Sequence, residues 1–226
     1  MNARNFNLKE IALFVAITSS LIGCDDTSDK IVDNIDTTRQ ADISFVNAVG
    51  EMADFYVKPN YLNRDVFDSQ QKAKTVFNSE VGNFTFKWID SGSQGSQFGV
   101  RDTNTSTTSS TIDTDIDSNA KYWMVAWLDG NQYQLTSFKK SSTRAANRFV
   151  VRVFSNTNLD IKINETDEIV AATEKGKVSV PFTIDNCAAG LNVGGNYIEF
   201  CNQAEFGKSY LAVVNSAGKI VVIEEQ

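Results

Sequence analysis

Apolar residues fall along this 226-residue chain in three regimes. An unbroken apolar run, Ile11 to Ile17, follows a start that carries Arg4 and Lys9, and small or apolar residues continue to Gly23. Residues 25 to 40, DDTSDKIVDNIDTTRQ, are polar and acidic, with too few apolar side chains to pack. From Ala41 onward apolar residues come in short alternating runs, such as Phe84-Thr85-Phe86-Lys87-Trp88, separated by Gly, Asn, Asp and Ser. A period of two puts successive side chains on opposite faces of a strand, and no long stretch beyond the first regime carries the 3.6-residue period of a helix. The pattern predicts an all-β folded part behind a leader and a flexible tether.

The alternating part happens twice. Ile43 to Lys58 matches Val150 to Asn164: an apolar strand, a turn, an aspartate (Asp54, Asp160) and a second strand. GNFTFKW from Gly82 matches GNYIEF from Gly195, and KYWMVAWLDGNQYQL from Lys121 matches KSYLAVVNSAGKIVVI from Lys208, each of the last two a pair of strands joined by a tight turn. On that alignment the first copy holds an extra segment between its aromatic strand and its final hairpin. Several short strands in each copy predict two tandem antiparallel β-sandwich domains, 41–144 and 145–226. Each is large enough to enclose a modest core.

The leader is secretory in its parts: positive start, apolar centre, small-residue end. Its apolar run stops after seven residues at Thr18-Ser19-Ser20, whereas a spanning helix needs about 20. Leu21-Ile22-Gly23-Cys24 resembles the lipobox of bacterial lipoproteins. That resemblance implies cleavage of residues 1–23, a diacylglycerol thioether on Cys24, and attachment to the membrane through acyl chains, with 24–40 as the lipidated tether. Two or three chains make such an attachment effectively permanent. The expected location is the bacterial cell envelope, facing the periplasm. Asp25 resembles the retention signal of enteric lipoproteins, which favours the inner membrane over the outer.

Composition narrows the function. The chain has 28 acidic and 21 basic residues and no histidine. An acidic balance disfavours a nucleic-acid partner, because phosphate-backbone binding relies on clustered Lys and Arg. Without histidine, Ser-His-Asp and Cys-His systems and histidine-rich zinc sites are excluded. With Cys24 lipidated, Cys187 and Cys201 remain as a pair in an oxidising compartment, and a disulfide between them is expected.

Three surface candidates compete with plainer readings. Asp113, Asp115 and Asp117 alternate in TIDTDIDSN, a spacing that can converge hard oxygen ligands on calcium, yet an EF-hand loop would need glycine at Ser118 and glutamate at Met124. The plainer reading is a polar edge whose aspartates face solvent. Trp123, Val125 and Trp127 share one strand face, and Phe84, Phe86 and Trp88 another, as expected for the two inner faces of a sandwich. The opposite face, Tyr122, Met124, Ala126 and Leu128, is then the candidate for an interdomain or partner contact. Asp102 to Thr111, DTNTSTTSST, reads as a mobile surface loop.

The strand ISFVNAV, its short turn, ADFYV, a Gly-containing aromatic strand and a closing hairpin resemble the domain of unknown function 4397 family, over Ala41 to Gln226. The resemblance implies immunoglobulin-like sandwiches in tandem, in exported bacterial proteins, with no catalytic residues to carry over. The expected role is a non-catalytic binding or structural module for a protein or glycan partner, with no cofactor. The competing expectations are a carboxylate-dependent hydrolase with its site between the domains, and an accessory subunit of an envelope complex.

Overall fold

The computed structural model describes residues 38–90, 95–199 and 204–225. The leader, Cys24, Asp25 and Cys201 lie outside the described residues. Residues 38–226 form one compact unit, and the only helical segments described are two three-residue 3-10 turns, Ser69–Gln71 and Cys187–Ala189. No described helix is long and apolar enough to cross a membrane. The protein is all-β.

The first half holds β1 (Thr38–Ala48), β2 (Ala53–Pro59), β3 (Lys72–Val76), β4 (Val81–Ile89), β5 (Ser96–Asp102), β6 (Ser109–Thr114), β7 (Lys121–Asp129) and β8 (Gln132–Lys139). They make two sheets, β4-β1-β7-β8 and β3-β2-β5-β6. Every neighbouring pair is antiparallel except β1 and β7, which run parallel. β1 starts three residues before Ala41: the polar Thr38–Gln40 pairs with Ile89, Trp88 and Lys87, so ladder hydrogen bonds order residues that bury nothing. The Ser/Thr run is likewise part strand, since Ser109–Thr114 is β6.

The second half holds β9 (Phe149–Ser155), β10 (Leu159–Ile163), β11 (Ile169–Thr173), β12 (Lys177–Val178), β13 (Phe182–Ile184), β14 (Leu191–Val193), β15 (Asn196–Ile198), β16 (Ser209–Asn215) and β17 (Gly218–Glu224). It repeats the plan. β9 lies between β12 and a parallel β16, with β17 beyond and β13 also on β9, and the second sheet is β11-β10-β14-β15. The repeat extends to single hydrogen bonds. The Tyr122 hydroxyl accepts from the Asp117 amide at 3.2 Å and the Tyr210 hydroxyl from the Glu205 amide at 2.7 Å. At the ends of β1 and β9, Asn47 Oδ1 accepts from the Val49 amide and Ser155 Oγ from the Thr157 amide, each fixing the turn that follows.

One of the three sequence matches is out of place. GNFTFKW is β4, which pairs with β1, whereas GNYIEF opens with β15, which pairs with β14. The counterpart of β4 is the broken pair β12 and β13, and the supposed extra segment of the first copy is β5 and β6. A Gly-Asn turn before an aromatic strand is a local signal that recurs at unrelated strands.

Each half closes its own core between its two sheets. The first gathers Ile43, Phe45, Phe55, Phe86, Phe98, Tyr122 and Met124, among others, and the second Phe149, Val151, Ile161, Leu191, Ile198 and Tyr210. A third core lies between the halves: Val46, Trp123, Val125 and Trp127 from one side meet Phe154, Leu211 and Val213 from the other. The sheets therefore stack in four layers, and β1, β7, β9 and β16 are covered on both faces. The inward and outward faces of β7 are thus the reverse of the sequence expectation. Tyr122 and Met124 are buried in the first sandwich's own core with Leu128 packed against it, so none offers a partner surface, while Trp123, Val125 and Trp127 make the contact between domains. Periodicity separates two apolar faces but does not say which partner each meets.

Candidate functional site

The junction is the part of the molecule where charge, burial and cavities coincide. Its hydrophobic layer is large for a contact between domains: Trp123, Trp127 and Phe154 alone, at about 150–250 Å² each, contribute on the order of 10 kcal/mol of gross burial free energy. Phe154 stacks on Phe138 and meets Trp127 edge-on, with centroids 6.1 and 6.2 Å apart. Such an interface holds the two domains rigidly, where small polar ones let them move.

Polar groups lock its edges. Glu225, 1 % exposed, follows β17 and points into the junction. Its carboxylate accepts from Trp123 Nε1 at 3.0 Å, the Ser141 amide at 2.9 Å and Arg152 Nε at 2.9 Å, with Arg152 completing a two-pronged ion pair. Arg152 also donates to the Lys139 carbonyl across the junction at 2.9 Å. The buried carboxylate and guanidinium answer each other, as burial requires. Trp127 Nε1 donates to Thr136 Oγ1, whose hydroxyl donates to the Gly176 carbonyl, and Lys175 pairs with Asp129 at 2.6 Å.

Clefts open around this locked layer. One, of about 400 Å³, is lined by Asn119, Lys121, Lys139, Lys140, Ser141, Arg144 and Glu225, among others. Lys140 Nζ lies 4.1 Å from the centre of the Trp123 ring. Burial pushes the Lys140 ammonium below its ordinary pKa, and the neighbouring Lys121 charge pushes the same way. A smaller cleft shares Lys121 and Lys140 and runs on along Asp42, Ser44 and Asn83. A third, of about 360 Å³, sits elsewhere on the junction and is lined by Asn78, Ser79, Asn156, Asn215 and Lys219.

The sequence candidates are dispersed. Asp113, Asp115 and Asp117 are exposed while Ile112 and Ile116, on the alternate face, pack on the first core, and no group of three metal-ligating side chains occurs among the described residues. Asp117 is instead paired with Lys139, whose charge and hydrogen bond hold its pKa below the usual carboxylate range. Cys187 begins a 3-10 turn against the second core. Glu225, Arg152 and Lys140 escaped the sequence reading, although an arginine inside the apolar run Phe149-Val150-Val151-Arg152-Val153-Phe154 signals a buried charge in need of a partner.

No protein-family model matches the chain, and no curated protein matches it.

Proposed function

We propose that the chain is a lipid-anchored protein of the bacterial cell envelope, held through acylated Cys24 and facing the periplasm, whose two sandwiches act together as one rigid, non-catalytic binding or structural module for a protein or glycan partner. The observation that carries the module is the junction: a buried aromatic core closed by Glu225 and Arg152 fixes the clefts around it in one geometry, which favours binding without an ordering cost. The anchor rests on Leu21-Ile22-Gly23-Cys24, and Asp25 favours the inner membrane. The likeness to the domain of unknown function 4397 family belongs to the same proposal and is supported by the tandem sandwiches. So does the Cys187–Cys201 bridge, supported by a Cys187 thiol that is not free.

A hydrolase between the domains would need two carboxyl groups facing one cavity, roughly 5 to 9.5 Å apart. The single carboxylate lining the 400 Å³ cleft, Glu225, is committed to Arg152, Trp123 and Ser141. Labelling of cells with a tagged fatty acid tests the anchor: label on the wild type and none on Cys24→Ser is expected, and label on both overturns it. Crosslinking in intact cells tests the module: a specific adduct through junction-rim positions is expected, and turnover of a glycan or peptide by the purified protein overturns the non-catalytic reading.

A further inference from the structure

We propose that the 400 Å³ cleft at the domain junction is a binding site for a phosphate-type oxyanion, with Lys121 and Lys140 as its principal ligands. The inference deepens the module reading and rests on it, by naming the chemical class that one of its clefts takes.

Charge is the first observation. Acidic residues outnumber basic ones by seven over the whole chain, yet this one cleft gathers Lys121, Lys139, Lys140 and Arg144. Clustered cations repel one another, and a fold bears that cost where a bound anion relieves it. The second observation is that Lys121 and Lys140 are not answered by a carboxylate from within. Lys139 is held by Asp117, and Glu225 is occupied by Arg152. Among the described residues no carboxylate lies within ion-pair distance of the Lys121 or Lys140 ammonium, and Glu225 and Asp42 act on Lys140 only at longer range. Lys140 is half-buried against Trp123, where desolvation and Lys121 both disfavour its charge. An anion seated between the two lysines reverses both effects.

The geometry selects the kind of anion. Lysine ammonium groups are compact point charges with rotatable donors, suited to a tetrahedral oxyanion without a fixed planar fork. The cavity volume holds a phosphate with a small group attached. A nucleic-acid backbone would need a stripe of cations, which this isolated cleft does not provide.

Two sources carry that chemistry: a membrane lipid headgroup or a soluble phosphate ester. The cleft lies at the end of the first sandwich where β1 begins, since the Asn119 amide donates to the Gln40 carbonyl and Asp42 of β1 lies opposite Lys121 of β7 in the backbone ladder.

The full chain carrying Cys24→Ser, so that no acyl chain contributes, is titrated calorimetrically with glycerol 3-phosphate and floated with vesicles of phosphatidylglycerol in phosphatidylcholine or of phosphatidylcholine alone. Saturable binding of glycerol 3-phosphate is expected, weakened about tenfold by Lys140→Met or Lys121→Met and unchanged by Lys87→Met, which lies outside the cleft, because each charged hydrogen bond lost is worth about that factor. Lys140→Arg restores most of it. Flotation that depends on phosphatidylglycerol and on Lys140 assigns the site to a headgroup, and binding in solution without such flotation assigns it to a soluble ester. The proposal is overturned if neither ligand binds, or if the lysine variants bind as the parent does. Lys121 is exposed, so its variant carries the test should Lys140→Met unfold. A negative result leaves the fatty-acid labelling and the crosslinking intact.

Discussion

Two corners of the junction occupy equivalent places in the repeat and have opposite fates. At one, Gly176 donates to the Ser155 carbonyl at φ 70°, and the Trp127 ring lies so close that a Cβ there would overlap it. At the other, Ser79 donates to the Asn47 carbonyl at φ 63°. By register against the central strand, Trp127 corresponds to Asn215, which is too small to fill the corner, and the third cleft opens there beside Asn78 and Ser79. One large side chain, with a glycine to receive it, separates a packed seam from an open pocket. Two scaffolds built on one plan differ at matched positions, and that difference divides packing from access.

The same logic pairs Arg152 with Ser44, because Arg152 lies opposite Leu211 as Ser44 lies opposite Trp123. Replacing Arg152 by Met strands the buried Glu225 carboxylate, and chemical denaturation is expected to show a loss of about 3–5 kcal/mol, whereas Ser44→Ala costs less than about 1 kcal/mol. The double variant Arg152→Met/Glu225→Leu recovers a large part of the loss; if it unfolds as readily as Arg152→Met alone, a stranded charge is not the cause. Gly176→Ala meets both the Trp127 ring and an unfavourable backbone region, and a loss of about 2–4 kcal/mol is expected. Trp127→Leu should rescue much of it by making room.

Matched aspartates sharpen the comparison by pH. Burial pushes the Asp54 carboxyl up, but hydrogen bonds from Lys72 and Thr75 with the Lys72 charge outweigh it and hold the pKa below 3.8. A depressed folded pKa contributes stability above the unfolded value that is lost as pH falls through the folded one. Acid unfolding followed by circular dichroism should therefore lose part of its steepness below about pH 4 in Asp54→Asn, while Asp160→Asn, exposed at the matched position, tracks the wild type. The smallest effect is at the open corner: Ser79→Gly relieves a left-handed residue, and a gain of up to about 1 kcal/mol in thermal melts is expected.

The sequence made the β class, the hairpins β7–β8 and β16–β17 and the opening pairs β1–β2 and β9–β10 legible, because alternation and turn residues are local signals. The third match failed because Gly-Asn before an aromatic strand reports a turn and not a place in a sheet. The orientation of β7 failed for a different reason. Tyr122 to Leu128 is apolar without a break, and such a run means burial on both faces, leaving open which neighbour each face meets. Nothing local marks the cationic cleft, whose lysines Lys121 and Lys140 stand at opposite ends of the β7–β8 hairpin and meet only when that hairpin closes, the Lys140 amide donating to the Lys121 carbonyl at 2.9 Å.

The parallel pairing of each domain's opening strand has a kinetic corollary. Ile43 meets its parallel neighbour at Tyr122, and Val151 at Tyr210, so neither sheet can be completed until nearly the whole of its domain is present. Chains dominated by such distant pairings fold slowly, with β1 and β9 exposing long apolar edges in the interval. Refolding should accordingly be slow and prone to aggregation at high protein concentration.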